Sequence, residues 1–471
     1  MAEADVLVVG SGPNGLSAAI AAARAGYKVL VLEAQSAPGG AARTVELTLP
    51  GFHHDLGSAV HPFAALSPFF RSLPLERFGL KWVHPEIPLA HPLPDGSSPI
   101  LQQSIAETAE HLGGDAEAYA RRMRTIVEGF ASAVEDLPHG RLPRKPWALA
   151  VLGVCSLLPS SWMARRWFAG PSARALVAGL AAHSCLPLHK PGTGAIALAL
   201  AAAGHLVGWP FPEGGAARIT EALLACLRSL GGRLQADFTV RSLRDLPPAR
   251  TVFWDLTPRQ LLQIAGDALP RSYRRALSRY RYGPGVCKMD WALSGPIPWT
   301  AEACRKAGTV HLGGSFEEIA AGEAEVWQGK LPSRPYVLLS QPTLFDATRA
   351  PAGRHIAWAY CHVPNGCRVS MAEAIEQQVE RFAPGFRQLI LARHELTAPE
   401  LEAHDANLVG GDIAGGATDI RQMILRPTAR LYSVPLPGHY LCSSSTPPGP
   451  GVHGMCGYLA ARFALGNRAR L

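Results

Sequence analysis

The sequence contains no C-x-x-C pair, no H-E-x-x-H, no G-x-x-x-x-G-K-[ST] loop and no Ser–His–Asp order. Dithiol redox, zinc-protease, NTPase and hydrolase readings therefore have no support. Its nine cysteines (155, 185, 226, 287, 304, 361, 367, 442 and 456) are odd in number and widely spaced. That pattern fits a thiol-reduced cytosol, and it offers no metal-ligand set. Charged residues make up only 17%, and the net charge of +8 comes from scattered arginines. No block of five or six basic residues occurs, so no nucleic-acid partner is expected. No basic segment followed by an apolar run precedes Asp5, and the expected location is cytoplasmic. Gly 47 and Pro 40 are abundant but aperiodic, which excludes a collagen-like chain. Two uncharged stretches, Pro146–Ala164 and Pro191–Pro212, are broken by Pro or Gly. They read as buried helices or as an apolar surface touching a bilayer, rather than as spans.

What is present is a length of 471 residues with 48% apolar composition, enough for two or three domains with large cores. Residues 5–10, Asp-Val-Leu-Val-Val-Gly, read as a buried parallel strand. It runs into Gly10-Ser11-Gly12-Pro13-Asn14-Gly15, then a helix of small residues from Leu16 to Arg24, then a strand from Lys28 to Glu33. Gly10 permits the tight turn, Gly12 lets a pyrophosphate approach the backbone, and Gly15 lets helix and strand pack closely. The helix N-terminus offers free N–H groups to phosphates. Glu33, at a strand end, suits ribose hydroxyls and repels a 2′-phosphate. Gly39-Gly40-Ala41-Ala42-Arg43-Thr44 then suits a loop that wraps a diphosphate and sets a guanidinium beside it.

The fingerprint together with Gly39-Gly40-x-x-Arg43-Thr44 resembles the N-terminus of the FAD-dependent amine-oxidase and phytoene-desaturase superfamily. Residues 439–457, with Thr446-Pro-Pro-Gly-Pro-Gly451-Val452-His453-Gly454, resemble that family's closing flavin motif, with a helix expected from Val452 onward. Many amine-oxidase-like members carry an acid where this chain has Ser443 and Ser444; phytoene-desaturase-like members often lack it too. Segments 51–62, 211–215, 231–235, 410–413 and 425–427 are similar to one phytoene-desaturase-like branch. The resemblance implies FAD as cofactor, with Gly10, Gly12, Pro13, Asn14, Gly15, Glu33, Ala34, Gly39, Gly40, Arg43, Thr44, Gly57, Ser58, Val240, Ser444, Gly451 and Val452 around it. It also brings His54, Asp55 and His61 near the flavin, and puts His453 at the flavin edge.

The expected fold is α/β: a discontinuous Rossmann-like FAD-binding domain (1–70, 209–275 and 405–471) and a mixed α+β substrate domain (71–208 and 276–404). The substrate domain carries an apolar helical block at 141–208. Strands are expected at 286–293, 335–341 and 354–361, and an amphipathic helix at 371–383. Alternation in Cys287-Lys288-Met289-Asp290-Trp291 suits a sheet with one wetter face.

Only one dinucleotide fingerprint is present, so the electron partner is expected to be quinone, oxygen or another carrier rather than a tightly held NAD(P). The apolar helices suit a tunnel for a long lipophilic substrate such as a polyene or acyl chain, or they pack only on each other. Trp147, Trp162, Arg165, Arg166 and Trp167 suit a membrane interface or an ordinary surface. Acid–base candidates are few. His61 suits a proton shuttle, and His453 either serves the flavin edge or caps the last helix; both also have plain structural readings. Three functions stay open: a desaturase-like oxidoreductase, a flavin-dependent double-bond isomerase or saturase, and an FAD-binding scaffold.

Overall fold

The protein, represented by a computed structural model, is described over residues 4–138 and 140–469. Two sheets organise it. The first has five strands, all parallel, in the order His439–Leu441, Thr251–Trp254, Val6–Val9, Val29–Leu32 and Arg233–Gln235. Its central strands are continuous runs of Val and Leu buried on both faces, as a helix-covered parallel sheet requires. Helices Pro13–Arg24, Ala217–Ser229 and Met455–Leu465 cover one face. Helices Pro258–Ala265 and Arg271–Ser278 cover the other.

The small residues of the first helix have a steric purpose. A Cβ on Gly15 would sit 2.2 Å from the Gly10 carbonyl oxygen, and one on Gly457 would sit 1.8 Å from that of Asn14. The last helix thus packs directly on the first, and the two ends of the chain meet over one sheet.

The second sheet has seven strands in the order Ile390–Leu396, Gly285–Leu293, His355–Val363, Val337–Ser340, Ala307–Leu312, Ile87–Ala90 and Ile100–Leu101. Neighbours are antiparallel except for the parallel pair Ala307–Leu312 and Ile87–Ala90. One face packs on helix Ala372–Phe382 through Cys287, Met289 and Trp291. The other faces the helices of 116–207, including Pro171–Ala182 and Thr193–Val207, through Val286, Leu338, Trp358 and Tyr360.

The structure corrects two readings. Strand Gly285–Leu293 has no wetter face; all nine residues are buried, with Lys288 on the wall of an internal cavity and Asp290 paired to it. The last helix begins at Met455 rather than Val452, since Gly454 takes the left-handed conformation (φ 67°) that precedes it. Among the described residues no single helix is long and apolar enough to cross a membrane. Helices Pro146–Leu157 and Ser160–Trp167 form an apolar pair bent by 113°. All nine cysteines are free.

Candidate functional site

A cavity of about 740 Å³ begins over the C-terminal ends of the parallel strands and continues to the inner face of the mixed sheet. This is where open α/β sheets hold ligands. Its first wall comes from the glycine turn: Gly10, Ser11, Gly12, Pro13 and Asn14. Gly12 precedes helix Pro13–Arg24 and has no side chain of its own to cap it; Asp255 takes the Gly15 N–H, so the helix start meets the cavity through the turn from Gly10 to Asn14. Glu33 and Ala34 follow the second strand onto the same wall. The Glu33 carboxylate accepts from Ser11 N (2.9 Å), Ser11 Oγ (2.5 Å) and Gln35 N (2.9 Å), which fixes its orientation at the rim.

Gly40 and Arg43 supply the next wall. Arg43 donates from Nε to the Gly40 carbonyl (2.8 Å) and from Nη2 to the His404 carbonyl (2.8 Å), so its guanidinium is held between its own loop and the end of helix Ala398–His404. Gly57, Ser58, His61, Val240, Ser444, Gly451 and Val452 also line the cavity. The structure thus brings together residues from near the two ends of the chain, Gly10 and Val452 among them.

Four expected site residues stay off the cavity wall. Gly15 and Gly39 lie beneath it as packing positions, Gly39 with φ 125°. Thr44 donates to Asp55 Oδ1 (2.8 Å) and accepts from Ala217 N (3.1 Å), so it ties the loop to the next helix. His453 faces away from the cavity. Its Nδ1 accepts from Met455 N (3.0 Å) and its carbonyl accepts from Ser67 Oγ (2.6 Å). Burial pushes its imidazole down to about 4, so it is a neutral cap on the last helix.

His61 does face the cavity, and neither ring nitrogen has a partner. Burial, opposed in part by Asp55, pushes it down to about 4. It is therefore a neutral hydrogen-bonding group near pH 7, not the near-neutral shuttle expected. Asp55 is structural: it pairs with Arg349 at 2.8 Å, both side chains 1% exposed, and accepts from Ala216 N (2.7 Å). His54 bridges Thr48 Oγ1 (2.8 Å) and Asp290 Oδ1 (3.5 Å).

Three residues had no role assigned from the sequence. Asp255 follows strand Thr251–Trp254, and its Oδ2 accepts from Gly15 N (2.8 Å) at the start of the phosphate-facing helix. Burial pushes its carboxyl up to about 7, with Asp405 and Glu33 adding to the effect. Lys288 lines the far half of the cavity, ion-paired with Asp290 and 5.9 Å from the Trp358 ring centre. Burial lowers the Lys288 ammonium against the opposing pull of Asp290. Asp290 is thus a buried partner, not a solvated strand residue. Cys185, on the loop after helix Pro171–Ala182, also lines that half.

Beside His183 and Thr309, that half is lined by Ile196, Leu200, Val286, Leu338, Trp358 and Tyr360. Thr309 Oγ1 and Trp358 Nε1 are unpartnered polar atoms on residues of this wall. The residues fit FAD. The glycine turn at the helix start and Arg43 suit its diphosphate, and Glu33 suits its ribose. The unpartnered Asn14 Oδ1 and His61 nitrogens leave hydrogen-bonding capacity toward a bound group. Among the described residues no cluster of His, Cys, Asp and Glu could hold a metal ion.

Comparison with known proteins agrees with this geometry. Residues 8–73 match the family described as NAD(P)-binding Rossmann-like domain. The chain is 26% identical to pyridine nucleotide-disulfide oxidoreductase domain-containing protein 2 of Rattus norvegicus, over 98% of this chain and 93% of that one. It is 36% identical to hydroxyneurosporene desaturase of Rhodobacter capsulatus, over 35% of this chain and 34% of that one. Among solved structures, an oxidoreductase from Methanosarcina mazei superposes with a TM-score of 0.65 at 16% identity, covering 98% of this chain and 99% of that one.

Proposed function

We propose that this chain, an FAD-dependent oxidoreductase of the amine-oxidase and phytoene-desaturase superfamily, transfers a hydride between a carbon–carbon bond of a lipophilic substrate and the flavin. One observation carries the reading: the phosphate cradle and an apolar aromatic chamber are two ends of a single cavity. When bound, FAD supplies the hydride acceptor or donor. The chain supplies the rest. Gly12, the helix N-terminus, Glu33 and Arg43 hold the nucleotide. Val286, Leu338, Trp358 and Tyr360 hold an apolar chain and exclude water. His61 offers neutral hydrogen bonds, and the Lys288–Asp290 pair sets a fixed dipole in the chamber. Desaturation, the reaction in the name of one relative, is the direction of the proposal.

The electron acceptor in this reading is quinone or oxygen, since one nucleotide cradle is filled by FAD itself. The reading also includes peripheral contact with a membrane. Leu142 (91%), Trp147 (77%) and Val154 (64%) are strongly exposed, and Leu157 and Trp162 are also exposed. Arg144, Lys145, Arg165 and Arg166 lie beside them, also exposed. Apolar anchors with basic neighbours suit an anionic bilayer surface. Helix Pro146–Ser156 packs on Thr193–Val207, which lines the chamber, so a lipid-borne substrate would arrive close to it.

The test is anaerobic. Purified holoprotein is mixed with polyenes and acyl lipids, the flavin band is followed, and products are analysed. Bleaching with formation of a new double bond supports the reading. Conversion with no change in product oxidation state would move it to isomerisation.

A further inference from the structure

Cys185 is not an isolated thiol. Its Sγ lies 3.3 Å from His362 Nε2, and His362 Nδ1 lies 2.8 and 3.0 Å from the two Glu323 carboxylate oxygens. All three are buried, and they come from three separate parts of the fold. Cys185 sits on the loop after helix Pro171–Ala182, His362 on strand His355–Val363, and Glu323 on helix Phe316–Trp327. Nucleophile, base and orienting carboxylate in a hydrogen-bonded chain is the arrangement that activates a thiol. Cys185 opens onto the substrate chamber, while the other two lie behind it.

The backbone bears the same mark. Cys185 has φ 52°, one of three non-glycine positive values among the described residues. The loop holds this side chain in place against an unfavourable conformation. Burial works against a charged His362, but the Cys185 sulfur and the Glu323 carboxylate outweigh it and hold the imidazolium well above its ordinary range. The other titratable groups facing the pair are Tyr336, Tyr360 and His183. Burial raises both phenols and lowers His183, so these three stay neutral and do not compete for the proton near pH 7.

We infer that Cys185 is the proton-transfer residue of the chamber, with His362 and Glu323 as its positioning residues. This rests on the proposed function, which leaves one proton unassigned. Desaturation removes a hydride from one carbon and a proton from its neighbour. With FAD bound, the flavin would be the acceptor of that hydride and its electron pair. The Cys185 thiolate takes the proton, forming an S–H bond. The electron pair of that second C–H bond becomes the new C=C. His362 stays protonated against Glu323 throughout, and the final electron acceptor would be the quinone or oxygen of the proposed function. The reverse sequence, with the thiol giving its proton back, serves saturation.

The experiment measures thiol reactivity in the holoprotein. Iodoacetamide is added at pH 7 and labelling of each cysteine is timed by peptide mass spectrometry. An ordinary thiol is only a few per cent thiolate at that pH. Cys185 is expected to react faster than the half-buried Cys367, and His362→Asn and Glu323→Gln are expected to slow it about tenfold or more. Retention of the flavin band reports that each variant is folded. If either variant loses it, the wild-type comparison with Cys367 decides alone. The inference is overturned if Cys185 labels more slowly than Cys367, if it labels only after denaturation, or if a folded His362→Asn protein keeps the wild-type rate. Failure of the flavin reading would show instead as colourless protein, and would leave the thiol rates readable.

Discussion

The Gly15 backbone N–H donates to Asp255 Oδ2 across 2.8 Å, joining positions 240 residues apart in sequence. This bond ties the start of the phosphate-facing helix to the end of the neighbouring strand. It also puts a carboxyl group where a carboxylate would repel a bound diphosphate. Burial, reinforced by Asp405 and Glu33, answers that conflict by moving the Asp255 carboxyl up to about 7.

The pH dependence follows from that shift. An Asp titrates near 3.9 when unfolded, so between about pH 4 and about pH 7 the folded state binds the extra proton. Stability therefore falls as pH rises through this window, and the loss is complete above it. Asp255→Asn should flatten the slope. Asp405 is shifted in the same direction and preserves part of it. Urea unfolding at several pH values checks this; equal slopes in the two proteins would contradict it.

Gly12→Val should abolish cofactor binding. A Cβ at this position would lie 2.9 Å from Asp255 Oδ2, and the added methyls would project from the turn that meets the diphosphate. The expected product is a folded, colourless protein. Stoichiometric FAD in this variant would remove the N-terminal assignment.

Arg349→Met should be strongly destabilising without touching the cavity. Arg349 donates to the buried Asp55 (2.8 Å) and to the partly buried His53 carbonyl (2.9 and 3.1 Å). Removing it strands a buried carboxylate, at a cost of about 3–5 kcal/mol. Denaturant titration reads the loss. Adding Asp55→Asn should recover part of it, though Asp55 also serves Thr44 and Ala216.

Trp147→Glu with Trp162→Glu should release the protein from vesicles containing anionic phosphatidylglycerol while leaving its flavin spectrum unchanged. Both rings are exposed, at 77% and 49%, so their loss costs the fold little. Co-sedimentation measures the effect. Undiminished vesicle binding would turn this face into an ordinary surface.

Local features were the legible ones. The strand Val6–Val9, the glycine turn, the helix that follows and Glu33 lie within one short segment, and each residue type has a local reason to be there. The long-range features were not legible. Asp255 looks like any strand-end acid until the sheet puts it under Gly15. Lys288 and Asp290 alternate like a solvated strand face, and only the helices over the sheet make that face an interior. His453 could serve the flavin or cap a helix, and only the folded chain shows its Nδ1 accepting from Met455 N at the start of the last helix. Cys185, His362 and Glu323 share no spacing at all; the mixed sheet and two helices bring them together.

The most direct test of the account is the absorbance spectrum of purified protein before and after anaerobic dithionite, with the released cofactor identified. The account predicts a flavin band that bleaches on reduction and FAD in the supernatant after denaturation. A colourless protein that takes up no FAD on reconstitution would contradict it.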